Sequence, residues 1–221
     1  IGLDNFHPYY DKQLKLKNLE IFKNHKNFEF IEGSILDLDL LKTFSNIDTV
    51  FHLAAIAGVR NSFNNPQEYF DINVKGTENI LKTFQNIDEL VFASSSSVYG
   101  ELKQNEFPVK ETHSLNPISP YGESKKQSEL LCEHYSKSSK IRTSILRFYT
   151  VYGPRQRPDE AIMKFLNLSI SGDPIPIFDD GTKIRDFTYI SDIVNGIILS
   201  QKFGNGTYNL GSGNPISVNQ M

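Results

Sequence analysis

Tyr121 and Lys125 stand four residues apart in YGESK, and a serine run, SSSSVYG, covers Ser94–Gly100 upstream. On a helix, positions i and i+4 share one face, so the Lys125 ammonium is expected beside the Tyr121 phenol. A free phenol has a pKa of about 10 and is a poor base at neutral pH. A neighbouring cation stabilises the phenolate and makes tyrosine a usable general acid/base. Ser95 is placed to bind the same substrate oxygen. Together these three groups would move a proton off a hydroxyl while a hydride leaves its carbon. The other reading of the spacing is an exposed Tyr and Lys on a surface helix.

The elements around these residues support the chemical reading. Ser119 and Pro120 suit an N-cap and first helical position for a helix carrying Tyr121. Phe28–Gly33, Asp48–Ala55, Glu89–Ser95 and Ile141–Phe148 are short, nearly continuous apolar runs, as in parallel strands covered on both faces. Between them Phe70, Val74, Thr77, Leu81 and Phe84 form a stripe at helical spacing. Asn73 falls on that stripe and needs a buried partner. The alternation predicts an α/β fold with a doubly wound parallel sheet. After Phe148, Pro and Gly cluster in VYGPRQRP and SGDPIPIFDDG. This part reads as a smaller lobe with helices near 160–171 and 192–201, the second capped by Ser191. The predicted division is a nucleotide-binding domain over 1–148 and a substrate-binding lobe over 149–221, interleaved with the sheet.

Composition narrows the partners. The chain has 221 residues, a net charge of −3 and dispersed Lys and Glu, so no basic patch argues for nucleic acid. One cysteine, Cys132, excludes an intrachain disulfide and a multi-cysteine zinc site, and the five His lack metal-type spacing. Cys132 is expected as a small packed side chain. No metal site and no membrane span is predicted, and the overall reading is a cytoplasmic protein.

Seven ordered motifs then carry a family resemblance: DNF near the start, HLAA, the asparagine-bearing helix, SSSSVYG, YGESK, RFYTVYGP and RDFTYISD. The chain resembles the extended short-chain dehydrogenases/reductases over essentially its whole length. Within them it is most similar to UDP-glucuronate 4-epimerases, through LDNFHPYYDKQLK, HLAAIAGVRNS, RFYTVYGPRQRPDEA and DDGTKIRDFTYI. The resemblance implies a Rossmann-like sheet, NAD as cofactor, a UDP-sugar as substrate and a homodimer built on the Tyr121 helix and the Phe70–Phe84 helix. It also implies a preceding strand and glycine-rich loop of about 30 residues. Their lack, and that of further C-terminal nucleotide contacts, would make this stretch alone inactive.

The resemblance assigns roles residue by residue. Asp4 would hold the adenosine ribose hydroxyls and so favour NAD over NADP. Leu53, Ala54 and Ala55 would let the backbone approach the dinucleotide, and Asn73 would order the backbone beside the active site. The adenine-binding turn is Gly33-Ser34-Ile35 here; Ser34 replaces the usual aspartate, and Asp37 is a poor substitute. Ser95, Tyr121 and Lys125 would be catalytic, with Lys125 on the nicotinamide ribose. Tyr121 would take the proton from the sugar O4 as hydride leaves C4, and hydride would return to the other face of the 4-keto sugar. Related 4,6-dehydratases carry Asp-Glu where this chain has Ser96 and Ser97, and related decarboxylases carry Glu at the second position. Serine at both leaves neither chemistry its acid. Arg185 would clamp the diphosphate, with a salt bridge to Asp186 as the alternative, and Phe178 would meet the nucleobase. Thr150 and Arg157 would hold a uronate carboxylate away from the geometry that loses carbon dioxide, with Arg60 as a second candidate cation. Neutral UDP-glucose or UDP-N-acetylglucosamine is the competing substrate class. A non-catalytic binding relative is the competing function.

Overall fold

The computed structural model describes residues 1–177 and 180–221, and the side chain of Gln104 is left aside. Ten strands run in chain order: β1 (Gly2–Asp4), β2 (Phe30–Glu32), β3 (Thr49–His52), β4 (Glu89–Ser95), β5 (Arg142–Phe148), β6 (Thr150–Tyr152), β7 (Ile184–Arg185), β8 (Phe187–Tyr189), β9 (Gly206–Leu210) and β10 (Ile216–Ser217). The α-helices are α1 (Lys12–Glu20), α2 (Leu38–Lys42), α3 (Pro66–Tyr69), α4 (Gly76–Thr83), α5 (Pro120–Ser138), α6 (Ala161–Ser171) and α7 (Ile190–Phe203).

A four-stranded parallel sheet, ordered β3-β4-β5-β9, forms the centre. β1 and β2 form a separate parallel pair in register Gly2 to Phe30 and Asp4 to Glu32. The sheet is thus interrupted between β1 and β3, where the resemblance puts its glycine-loop strand. The two pieces share a core: Leu3 from β1 and Val50 from β3 both pack on Ile35, Leu41 and Ile80. β9, which lies beyond residue 148, joins the central sheet beside β5.

Every residue of β4 is buried. Leu90 and Phe92 face Leu81, Cys132 and Ile145 in one layer with α4 and α5. On the opposite face Ser144 donates to the Ser200 carbonyl of α7 at 3.4 Å. Coverage on both faces is what allows a strand with no polar alternation. Cys132 is buried in this core, as expected.

The predicted stripe at 70–84 is not one α-helix. Phe70–Lys75 forms a π-helical turn between α3 and α4, a bulge of the kind found near functional sites. It frees the Asn73 carbonyl, which accepts from Thr77 Oγ1 at 2.5 Å and Ser128 Oγ at 2.9 Å. Ser119 caps α5 through Gly122 N at 3.1 Å, with Pro120 opening the helix. Ser191 does not cap α7: the helix starts two residues earlier than predicted, at Ile190, with Tyr189 at the cap and no side-chain bond there.

His52 is buried at the end of β3, with Nε2 2.9 Å from Thr77 Oγ1. The single Thr77 hydroxyl proton goes to Asn73, so Nε2 carries the imidazole proton. Burial, with Lys125 nearby, lowers the His52 pKa to about 3. The unfolded chain binds a proton below about pH 6.5 that the folded imidazole refuses until about pH 3. Stability is therefore full above pH 6.5 and falls as pH drops toward 3, by up to about 1.4 kcal/mol per pH unit. Urea midpoints at pH 7 and 5 are expected to differ less in His52→Gln than in the parent.

Candidate active site

The C-terminal ends of β4 and β5 bring the predicted catalytic groups together. Ser95 ends β4 and leads into a 3-10 turn, Ser96–Val98. Its Oγ accepts from Ser97 N at 3.2 Å and lies 3.1 Å from Ser97 Oγ. Gly122 lets α5 approach this turn: a Cβ there would lie 2.6 Å from the Ser97 carbonyl oxygen and 2.9 Å from Pro117. The residue after Tyr121 therefore has to be glycine for the phenol to reach Ser95. The Ser95 hydroxyl is near enough to the Tyr121 phenol to act on its pKa, which it lowers.

The electrostatics differ from the expectation. Burial raises the Tyr121 pKa, while the Ser95 hydroxyl and the Arg157 charge act to lower it. Lys125 is not the cation tuning the phenol here. Its Nζ donates to the Ala93 carbonyl at 2.8 Å and sits 4.9 Å from the Phe92 ring centroid. Shared helical spacing sets the face, but the buried ammonium takes the nearest carbonyl of β4. Burial lowers the Lys125 pKa to about 8, with Cys132 and Glu129 acting to raise it.

A buried network behind the site was not legible in the sequence. Glu129 accepts from Arg147 Nε at 3.0 Å and Nη2 at 2.7 Å, and from the Ser94 hydroxyl. Arg147 Nη1 goes on to Tyr99 Oη at 2.8 Å, and Tyr99 donates to Asn209 of β9 at 2.7 Å. The signal for it was one charge inside the β5 run, Arg147; Glu129 sits among other charged and polar residues of α5. Asn73, given an ordering role by the resemblance, is buried and bonded through its whole amide. Its Oδ1 accepts from Ile56 N at 2.8 Å, and its Nδ2 donates to Ile56 O at 3.0 Å and Ser124 Oγ at 2.9 Å. This fixes the strand-end loop to α5.

The dinucleotide candidates lie at the ends of β1 and β3. Asp4 is exposed, with Oδ1 accepting from Phe6 N at 2.7 Å. Leu53 is 53% exposed and Ala54 is exposed, an apolar ledge suited to a flat ligand. The adenine turn fits less well. Ile35 is a core side chain filling the space beside Gly76, and its carbonyl accepts from Asn79 Nδ2 at 3.1 Å. Ser34 Oγ accepts from Leu36 N at 3.1 Å, and Asp37 caps α2 through Asp39 N and Leu40 N. Asp37 is thus engaged and Ile35 is withdrawn from a base.

On the substrate side, Thr150 opens β6 half-buried, its N–H donating to the Asp186 carbonyl at 3.0 Å. Arg157 is not a solvated charge. Its side chain is 20% exposed and pairs with Asp159 through Nε at 3.0 Å and Glu160 through Nη2 at 2.5 Å. Arg185 is exposed and donates to the Ile184 carbonyl at 2.8 Å. No Arg185–Asp186 salt bridge forms among the described residues. Asp186 instead accepts from Ser212 N, Ser212 Oγ and Gly213 N, which locks the loop after β9. Phe178 lies outside the described residues. Ser96 and Ser97 are half-buried at the turn that faces α5. Among the described residues no group of three or more His, Cys, Asp or Glu could hold a metal, and no helix is long and apolar enough to cross a membrane.

A shallow cleft of about 230 Å³ opens beside Arg157, along Tyr152, Gln156 and Ile190. A larger one, about 1020 Å³, lies by Asp88 and Arg142 where β4 and β5 begin. Ligands of parallel sheets bind at the carboxyl ends, so the smaller cleft is the relevant one.

Residues 7–211 match the NAD dependent epimerase/dehydratase family. The chain is 46% identical over 200 residues to YtcB of Bacillus subtilis, described as an uncharacterized UDP-glucose epimerase, covering 89% of this chain and 62% of that protein. It is 42% identical over 229 residues to a UDP-glucuronate 4-epimerase of Thermodesulfobacterium geofontis, covering 100% of this chain and 70% of that protein. The crystal structure of a Bacillus cereus UDP-glucuronic acid 4-epimerase with UDP-glucuronic acid and NAD superposes with a TM-score of 0.92 at 38% identity, covering 98% of this chain and 70% of that one. The chain therefore spans between about three fifths and 70% of the length of these relatives.

Proposed function

The chain belongs to the NAD dependent epimerase/dehydratase family, and on that premise we propose that the complete protein is a UDP-sugar 4-epimerase converting UDP-glucuronate to UDP-galacturonate. The neighbouring Ser95 and Tyr121 hydroxyls carry the reading, beside a turn with serine rather than an acid at 96 and 97. Bound NAD supplies a reversible hydride acceptor, held by Asp4 at the ribose, Leu53–Ala55 along the dinucleotide and Lys125 at the reacting end. Tyr121 takes the O4 proton and later returns it, while Ser95 binds O4 and fixes its distance from the phenol. The raised phenol needs a cation to ionise, and Arg157 is the charge in this structure that helps it.

Substrate choice turns on Thr150 and Arg157. Oxidation at C4 of a uronate makes a β-keto acid, which loses carbon dioxide when its carboxylate aligns with the ketone. A guanidinium and a hydroxyl on that carboxylate hold it out of line. Glu160 accepts from Nη2 of Arg157, and Asp159 forms an ion pair at the Nε edge, so Nη1 is the nitrogen assigned to a substrate acid. Arg185 is assigned to the diphosphate. One observation favours a neutral sugar as the second reading: two carboxylates already neutralise Arg157. A homodimer across α4 and α5 is part of the proposal, supported by Leu130, which α5 exposes at 53%.

The test is incubation of the complete protein with UDP-glucuronate and, separately, UDP-glucose, followed by assay of the C4 epimers. UDP-galacturonate is the expected product, and conversion of UDP-glucose alone would remove the uronate assignment. Arg157→Leu is expected to lower kcat/KM for UDP-glucuronate by roughly 30-fold, the size of one lost charge-assisted hydrogen bond. Unchanged turnover would sink the role given to Arg157.

A further inference from the structure

We propose that Tyr9 is a positioning residue for Arg157, coupling the loop after β1 to the loop before α6. It is one of two tyrosines in HPYY, a turn between β1 and α1. In three dimensions it meets residues far along the chain. The Arg157 guanidinium lies 5.3 Å from the Tyr9 ring centroid. The Tyr9 hydroxyl donates to Asp159 Oδ2 at 3.3 Å and accepts from Asn61 Nδ2 at 2.6 Å. Asp159 in turn forms an ion pair at Arg157 Nε.

These contacts act on one plane. The ring supports the face of the guanidinium, and the hydroxyl bonds the carboxylate that forms an ion pair at its Nε edge. Together they fix the rotation of the planar fork and so the direction of Nη1. A hydrogen-bonding fork is only useful to a substrate if its plane is set beforehand. Gly58 makes room for the arrangement. A Cβ there would fall 2.2 Å from the Tyr9 hydroxyl, and the backbone φ of +109° already excludes most side chains. The Tyr9 hydroxyl also meets that of Tyr69, whose ring stands edge-on to Tyr121 at 6.3 Å. Tyr9 follows Asp4 by five residues, so the cofactor-side loop and the substrate-side arginine are joined through one side chain.

The inference rests on the proposed function for the role of Arg157, and the experiment separates the two. The complete protein is first assayed with UDP-glucuronate and UDP-glucose, which tests the substrate reading. A double-mutant cycle of Tyr9→Phe and Arg157→Leu is then read on whichever UDP-sugar the parent epimerises. Tyr9→Phe keeps the ring and removes only the hydroxyl. It is expected to raise KM by about five- to tenfold with kcat within about twofold, because it disturbs binding rather than proton transfer. In the Arg157→Leu background the same change is expected to do nothing further. With UDP-glucuronate, the share of decarboxylated UDP-pentose is expected to rise in Tyr9→Phe. A merely structural tyrosine would not move that share. Asp159→Asn, which keeps the shape and removes the charge, is expected to shift KM in the same direction. Additive losses in the cycle, or a loss confined to kcat, would overturn the proposal whichever sugar is used.

Discussion

Tyr121→Phe is expected to lower kcat by about 10³-fold with substrate affinity nearly unchanged. The substitution removes one oxygen and its proton and leaves the ring, which still presents its 6.3 Å edge contact to Tyr69. Ser95 keeps its place because Ser97 N and the strand end hold it independently. What is lost is the group that accepts the O4 proton, and Lys125, the nearby amine, is bonded to Ala93 O. The parent rate is expected to keep climbing as pH rises into the alkaline range, since a phenol raised by burial above its usual value gains phenolate only there. That limb disappears in Tyr121→Phe. Single-turnover measurement of epimer formation, with nucleotide binding measured in parallel, checks both parts. A kcat loss below tenfold would assign the proton to a different group.

The second large effect concerns stability. Glu129→Leu is expected to cost about 3–5 kcal/mol, because it strands the Arg147 guanidinium in the core. Arg147 is 3% exposed and Glu129 is fully buried. Glu129 supplies both oxygens to Arg147 and also takes the Ser94 hydroxyl. Removing it leaves Arg147 Nε, Arg147 Nη2 and the Ser94 hydroxyl without their acceptor, while the Tyr99 oxygen and the Glu111 carbonyl already serve Nη1. Adding Arg147→Met is expected to recover most of the loss, since an apolar pair of similar volume carries no stranded charge. Urea denaturation of the single and double variants reads this directly. A single-variant loss under about 1 kcal/mol would mean that water reaches Arg147. The same change takes away a carboxylate that supports the Lys125 charge, so activity is expected to fall further than folding alone explains.

The sheet was legible because parallel strands buried on both faces must be apolar throughout, and β4 and β5 match their predicted runs almost residue for residue. The cap of α5 was legible because Ser119-Pro120 satisfies local backbone groups, and local rules act over a few residues. Failures arose where a distant partner decides. The stripe at 70–84 has helical period, yet Asn73 bonds both the Ile56 backbone and Ser124, and the helix widens to a π turn there. β9 pairs with β5, which only the closing of the sheet reveals. Ile35 was assigned to a base by its place in the turn, but the missing Cβ of Gly76 draws it into the core.

The sequence by itself determined the elements, the family resemblance and the presence of Ser95, Tyr121 and Lys125, because side-chain period and local capping are written in neighbouring residues. Tertiary structure decided what those groups feel. It turned Lys125 to a strand carbonyl, put Arg157 in electrostatic reach of Tyr121, and built the Glu129–Arg147 and Tyr9–Asp159 links. The physical reason is that pKa and side-chain orientation depend on burial and on charges a few ångströms away, and those neighbours come from segments far apart in the chain.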